Sequence, residues 1–538
     1  MSVNVTRIDW VIIGVFFVVL LGLAIYINSL CRSVADYLVS ARKVRMWLGI
    51  GAGIAGEIGL VSIAGMCEQG YRRGYSFTLL QIFSLAITVP LFGIWGFGIQ
   101  RFRASKAMSV PQYIEMRFSK RLRVITGYTN CLAGVIQMSI FPIIGARFLA
   151  VLMKLPETIS IAGVPMKSVL VLMGLLLLCN IVFTYLGGSI TMTVTNFFMM
   201  IIIMGAICWL MLHLIAQDGL QSYWTKLENN LGKAGFYPFT GEEGSYGMLF
   251  FLWSMLMSIL LQFSYGPYLQ KYASMDKPKT VSRSYFLGAM FVSGRLFLVM
   301  GFGVATLAAL GNAIPADFHM DKADWGQMAT AYHLARHTPP ILMGFWLSCL
   351  LFADISSTDQ YLLSWSTSIV NDCIMPFRKR PFEPRAHIRA VRLTIIALCV
   401  FFFFVGMIYK PTMPIWEFLW LIANIIGGTG IAVLFGMYWK RANTAGAYAA
   451  IACNVAIPIG DQIARYVYSV RHPTGIYPIL PQQTGFWAYI LGIILLVVVS
   501  LLTKKEDRFW DLGKAVREMN AAETGGPTGT TNPTGAAA

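Results

Sequence analysis

Residues 353–360, Ala-Asp-Ile-Ser-Ser-Thr-Asp-Gln, lie inside the run LLFADISSTDQYLLSWSTSIVND. Two carboxylates and three hydroxyls in such apolar surroundings carry a desolvation cost, which points to a function that needs hard oxygen donors. Ala353, Ser356 and Ser357 stand at i, i+3 and i+4 and so share one helix face. A backbone carbonyl and two hydroxyls on one face suit a small monovalent cation. The carbonyls of Ala55 and Ile58, in a second segment, would complete a five-oxygen cage. Asp354 and Asp359 could lend negative field from outside it. The competing reading is that the hydroxyls bond back to the i−4 carbonyl or hold helices together.

The second segment reads MWLGIGAGIAGEIGLVSIAGMCEQGY, with Gly49, Gly51, Gly53, Gly56 and Gly59 inside eleven residues. Each glycine costs a helix interior about 1 kcal/mol relative to alanine. Glycines this dense around Glu57 predict a local unwinding, with close helix packing as the alternative. Carbonyls freed at membrane depth are tolerated only where protein or a bound ion satisfies them. Glu57 is itself a candidate functional residue, since an intramembrane carboxylate is costly; the alternative is a structural ion pair with Arg147.

A bundle of membrane-crossing helices must position these groups. The chain has 538 residues, of which 57% are hydrophobic and 12% charged, and a mean hydropathy of +0.64. A soluble domain carries roughly twice that charged fraction. Apolar runs predict an all-α polytopic membrane protein with about thirteen spans, near 8–28, 46–70, 75–98, 124–153, 165–186, 190–216, 246–271, 284–310, 339–373, 390–409, 414–437, 445–468 and 485–503. Loops such as CRSVADYLVSARKVR and RKRPFEPRAHIRAVR gather Lys and Arg on one side, which predicts the N-terminus outside and the C-terminus in the cytoplasm. The first apolar run has no basic leader or small-residue cleavage site and reads as a retained helix. The expected organisation is a transmembrane domain over 1–503 and a cytoplasmic tail over 504–538. The Gly/Thr/Pro-rich end of that tail reads as disordered, and KKEDRFWDLGKAVREMN before it as a short surface helix.

The formal charge of +17 sits in the loops between spans, so it reads as a membrane-face bias and not as a nucleic-acid surface. The nine cysteines form no paired framework. His333 and His337 have a metal-like spacing but no third ligand, and read as a solvated pair in a polar loop.

These segments resemble the sodium:solute symporter family. WLGIGAGIAGEIGLVSIAGMCEQGYRRG is similar to that family's first core helix, YLGGSITMTVTNFFM to its fifth, YGPYLQKYASMDKPK to the end of its sixth, and LLFADISSTDQYLLSWSTSIVND to its eighth; GMYWKRANTAGA is similar to the stretch after the tenth. The resemblance implies a leading helix (8–28), two five-helix repeats of inverted topology (about 46–216 and 246–437) and two trailing helices (445–503). It implies a sodium site at Ala55, Ile58, Ala353, Ser356 and Ser357. Asn196 stands where members with a second sodium have Asp, and Asp359 and Gln360 stand where those members have hydroxyls; Asp359, Asn196 and Asp354 are the candidates for a second cation or its field. Tyr265–Gly266 replaces a polar pair, and Lys271 an Arg.

The expected function is sodium-coupled import of a small organic solute by alternating access in a plasma membrane, a bacterial inner membrane being the expectation. Na⁺ is the coupling ion, and no organic cofactor, nucleic acid or obligatory protein partner is implied. Candidate solute contacts are Glu57, Ser62, Arg147, Tyr265 and Asn424. Arg147 could meet a solute carboxylate, and Arg295 could balance Asp354 or Asp359. No nucleophile–base constellation suggests an enzyme. A proton-coupled carrier of the same fold, or a transporter-like sensor, is the alternative.

Overall fold

The computed structural model describes residues 4–29, 37, 40–161, 163–239, 246–316, 318, 325–380, 382–409, 414–472, 477, 479–506 and 509–521. The tail end expected to be disordered lies outside these residues. Helices dominate. Helix α1 (Arg7–Asn28) starts at Thr6, whose side chain accepts from the Asp9 amide while Asp9 reaches back to the Thr6 amide, a reciprocal cap. Next come α2 (Met46–Glu57), α3 (Leu60–Arg73) and α4 (Ser76–Thr88), the last continued by a π-helical turn over Val89–Ile94. Short helices α5 (Ile99–Ala104) and α6 (Val110–Arg117) precede α7 (Lys120–Ser139) and α8 (Phe141–Leu152). A β-hairpin pairs Thr158–Ile161 with Val164–Lys167 before α9 (Ser168–Leu186) and α10 (Ser189–Asp218).

The second half contains α11 (Leu220–Leu231), α12 (Gly247–Ser264), α13 (Gly266–Ser274), α14 (Pro278–Leu310), α15 (Trp325–His337) and α16 (Leu342–Ser368). It ends with α17 (Pro384–Ile408), α18 (Ile415–Tyr438), α19 (Thr444–Arg471), α20 (Pro481–Leu502) and α21 (Leu512–Ala521), the last in the stretch expected to form a short helix.

Among the described residues, eleven helices are long and apolar enough to cross a membrane, and the bent pair α2–α3 makes twelve. The expected thirteenth, α16, falls outside that set. Its 27 residues span about 40 Å at 1.5 Å each, but its Asp, Ser and Thr residues lower its apolarity. Apolarity alone therefore gives twelve spans and not thirteen.

Among the described residues, the helices that open the two expected repeats are both broken. The α2–α3 pair bends by 59° across Ile58–Gly59. The α12–α13 pair breaks at Tyr265, which is extended (φ −82°, ψ 112°) and is followed by Pro267, whose missing N–H costs nothing in a first helical turn. Helix α16 is the hub: it packs against α1, α2, α9, α10, α13 and α17. Its buried polar residues therefore face protein on several sides. Asp9 Oδ1 accepts from the amides of Ile341 (2.8 Å) and Gly344 (2.9 Å), so α1 satisfies orphan donors at the start of α16. His333 and His337 lie on α15 and not in a loop; their rings are 4.2 Å apart and His333 is buried, because α15 packs against α3 and α8.

Candidate functional site

Where α2 ends, α16 passes, and hydroxyls and carbonyls meet. Ser356 Oγ donates to the Ala55 carbonyl at 2.9 Å and lies 3.3 Å from the Ala353 carbonyl. Ser357 Oγ donates to the Ala353 carbonyl at 2.8 Å and lies 3.3 Å from that of Asp354. Ile58 sits in the break itself, with φ −96° and ψ 75°. All five residues, Ala55, Ile58, Ala353, Ser356 and Ser357, are buried. Back-bonding within α16, the competing reading, is present at Ser357; Ser356 adds a bond across to α2. A hydroxyl has two lone pairs and a rotatable hydrogen, so each serine could turn its oxygen toward a cation between the helices. Carbonyl and hydroxyl oxygens of this kind are the donors that a hard monovalent ion accepts.

The glycine cluster divides between the two explanations. Gly49, Gly51, Gly53 and Gly56 lie inside an intact α2 and serve packing: a Cβ would strike Met275, Phe197, Lys271 and Gln360 respectively. Gly59 alone sits at the break, where α3 restarts against Ser357. The expected unwinding is thus one residue pair wide.

A cavity of about 270 Å³ opens beside the break, lined by Glu57 and Ser62, by Tyr265 from the second break, and by Lys271, Arg295 and Tyr361 among others. Glu57 Oε1 stands 4.0 Å from Lys271 Nζ, which reaches in over the bare face of Gly53. The anticipated partner of Glu57 was Arg147; Arg147, on α8, does not line the cavity, and Lys271 takes that place. Asn424 does not line it either: its Oδ1 accepts from Trp253 Nε1 at 3.0 Å. Arg295 was expected near Asp354 or Asp359. It instead faces the cavity, within electrostatic reach of Glu57, Tyr268 and Tyr361. Sequence reasoning missed Lys271 and Arg295 as cavity residues. The available signal was a lone basic residue just past each of two features, the α13 break and the middle of the 33-residue α14.

The second-cation candidates separate. Asp354 Oδ2 accepts from Asn180 Nδ2 (3.0 Å) and Asp359 Oδ1 from Thr184 Oγ1 (2.5 Å), both donors on α9. Asn196, on α10, donates to the Ser356 carbonyl at 3.5 Å and lines a smaller cavity with Gln360. Asn196 thus bonds to α16, while Asp354 and Asp359 bond to α9. Among the described residues, no group of three or more His, Cys, Asp or Glu side chains could hold a metal.

The model of the sodium:solute symporter family matches residues 37–453. The chain belongs to the sodium:solute symporter family. A sodium/proline symporter of Staphylococcus aureus is 22% identical over 533 residues, covering 95% of this chain and 96% of that relative. The solved structure of a Na⁺-coupled sialic acid symporter, substrate-bound and outward-open, superposes with a TM-score of 0.76 at 16% identity, covering 94% of this chain and 99% of that one. A nucleobase–cation symporter in a closed conformation superposes with a TM-score of 0.52 at 14% identity, covering 90% of this chain and 98% of that one. These structures show the fold. This symporter-family member is an integral membrane protein with the fold of alternating-access transporters, and its relatives are transporters. Family membership supports Na⁺ as the coupling ion and a small-molecule solute as the cargo.

Proposed function

We propose that this symporter imports a small organic solute with Na⁺, the ion binding among Ala55, Ile58, Ala353, Ser356 and Ser357. The observation that carries the reading is the bond from Ser356 on α16 to the Ala55 carbonyl at the end of α2, which brings both halves of the cage to one point. A cation there would satisfy oxygens from both helices and fix the angle of the α2–α3 break beside the solute cavity. The ion then favours the conformation with an ordered cavity, and coupling is limited by its differential affinity for the two conformations. Inward Na⁺ movement also gains about 2.3 kcal/mol per charge per 100 mV of membrane potential. The test is the melting temperature of the detergent-purified protein in NaCl, KCl and choline chloride at equal ionic strength. A Na⁺-specific rise that is lost in Ser356→Ala/Ser357→Ala supports the site; equal melting in all three salts overturns it.

A proton-coupled reading has one observation in its favour: Asp354 and Asp359 are both buried, with hydrogen bonds from the neutral donors Asn180 and Thr184. It requires solute uptake driven by a pH gradient without Na⁺, and loss of that uptake in Asp359→Asn.

A further inference from the structure

We propose that the solute is a small organic monoanion whose carboxylate is held by Arg295. This inference rests on the symport reading and adds the chemical class of the cargo.

Among the described residues, three side chains charged at neutral pH line the cavity: Glu57, Lys271 and Arg295. Glu57 already faces Lys271 at 4.0 Å. One positive charge is left over, and it belongs to Arg295. That residue is 4% exposed, and its Nε and Nη1 atoms have no hydrogen-bond partner. A buried guanidinium with two unmet donors is expensive to keep, because charge taken from water must be repaid by a partner. Among the described residues, the cavity wall offers no second carboxylate to repay it. A guanidinium presents its donors as a planar fork that matches the two oxygens of a carboxylate, which a bound solute would bring.

The same tally separates solute classes. A neutral sugar would leave the guanidinium uncompensated. A zwitterionic amino acid would bring an ammonium that needs an acid, and Glu57 is already engaged by Lys271. A monoanion closes the balance. Phe77, Trp416 and Trp420 provide apolar faces for its carbon body, while Gln81 and Gln262 offer amides to a hydroxyl or carbonyl. Arg295 is therefore assigned as a specificity-determining residue, in a place where sequence reading had put a counter-ion for α16.

The test uses the purified full-length chain in NaCl, with melting temperature and Na⁺-driven uptake into proteoliposomes as readouts. The probes are pyruvate, lactate, benzoate and N-acetylneuraminate, each beside its neutral amide, with proline as the zwitterion and glucose as the neutral solute. At least one carboxylate should stabilise and be taken up while its amide is not. Arg295→Gln should weaken that response at least tenfold, and Arg295→Lys should restore part of it. The Na⁺-only melting rise should persist in Arg295→Gln, which certifies its fold and separates this test from that of the sodium site. Loss of the Na⁺-only rise in wild type would sink the symport reading instead. Uptake of proline or glucose that Arg295→Gln leaves intact, a carboxylate bound equally well by Arg295→Gln, or silence of all four carboxylates would each overturn the proposal.

Discussion

Gly59 and Ser357 face each other so closely that a Cβ on Gly59 would stand 2.7 Å from the serine hydroxyl. The glycine has an ordinary extended backbone (φ −84°, ψ 155°), so it is required by this approach and not by a left-handed conformation. Gly59→Ala should push Ser357 off the Ala353 carbonyl and reduce Na⁺ affinity at least tenfold, read as the Na⁺ concentration that half-saturates the melting shift. Adding Ser357→Ala should cost little more, because the clash and the lost ligand are one event. Two independent, additive losses would show that the contact is unrelated to ion binding.

The ion pair in the cavity wall makes a second prediction. Removing Glu57 leaves the Lys271 ammonium facing a confined space without its counter-charge. Breaking a fully buried pair costs about 3–5 kcal/mol. This one is wider and partly solvated, with 31% of the Glu57 side chain and 18% of the Lys271 side chain exposed, so about 1–2 kcal/mol is expected for Glu57→Gln. Glu57→Gln/Lys271→Met should melt above Glu57→Gln alone. A double variant that melts lower than the single one would mean that the lysine stabilises the fold without its partner.

A carboxylate adds to the packing of the leading helix against α16. Asp9 accepts from two amides at the start of α16, where Ile341 is held at φ +73°, a conformation that a β-branched residue rarely adopts. Asp9→Ala would orphan both donors and should cost about 1–3 kcal/mol. Thermal melting of Asp9→Ala beside Asp9→Asn, which keeps one acceptor oxygen, would measure it; an unchanged midpoint in both would show that α1 is not fastened there.

Acid should destabilise the α15 region. Burial, and then the neighbouring His337, lower the His333 imidazole from 6.5 to about 3. Between these values the unfolded chain binds a proton that the folded chain does not. Stability is therefore full above about pH 6.5 and falls as the pH drops toward 3. Melting curves at pH 7.5, 6 and 5 should show this slope, and His333→Gln should flatten it.

Some of this architecture was legible in the chain and some was not, for physical reasons. The cage candidates were legible because Ala353, Ser356 and Ser357 share a face within one helix, and helical periodicity alone fixes that. The broken helix was legible from its glycines, but their number overstated the break: four of the five are small so that Phe197, Met275, Lys271 and Gln360 can come close. The cavity was less legible. Periodicity says which residues share a face, not which neighbouring helix that face meets. Arg295 was assigned to the acids of α16, yet the rotation of α14 carries it to Glu57's side. Asp359 was grouped with Asn196, yet α9 stands on its side of α16. The span at 339–373 was read from the chain, although the buried polar residues of α16 keep it below the apolarity by which spans are recognised.

The hydroxyl–carbonyl bonds of Ser356 and Ser357 bear on how a bound ion would depart. A carbonyl at a helix break in a dry interior must be satisfied by protein or by an ion. Here the same serines that would ligate Na⁺ donate to Ala55 and Ala353 when they turn their hydrogens inward. The protein thus carries an internal competitor for its own coupling ion. On the proposed assignment, the ion's net affinity is a difference between two satisfied states, which keeps it modest. On that assignment, release of the ion would leave behind carbonyls that the serines already satisfy.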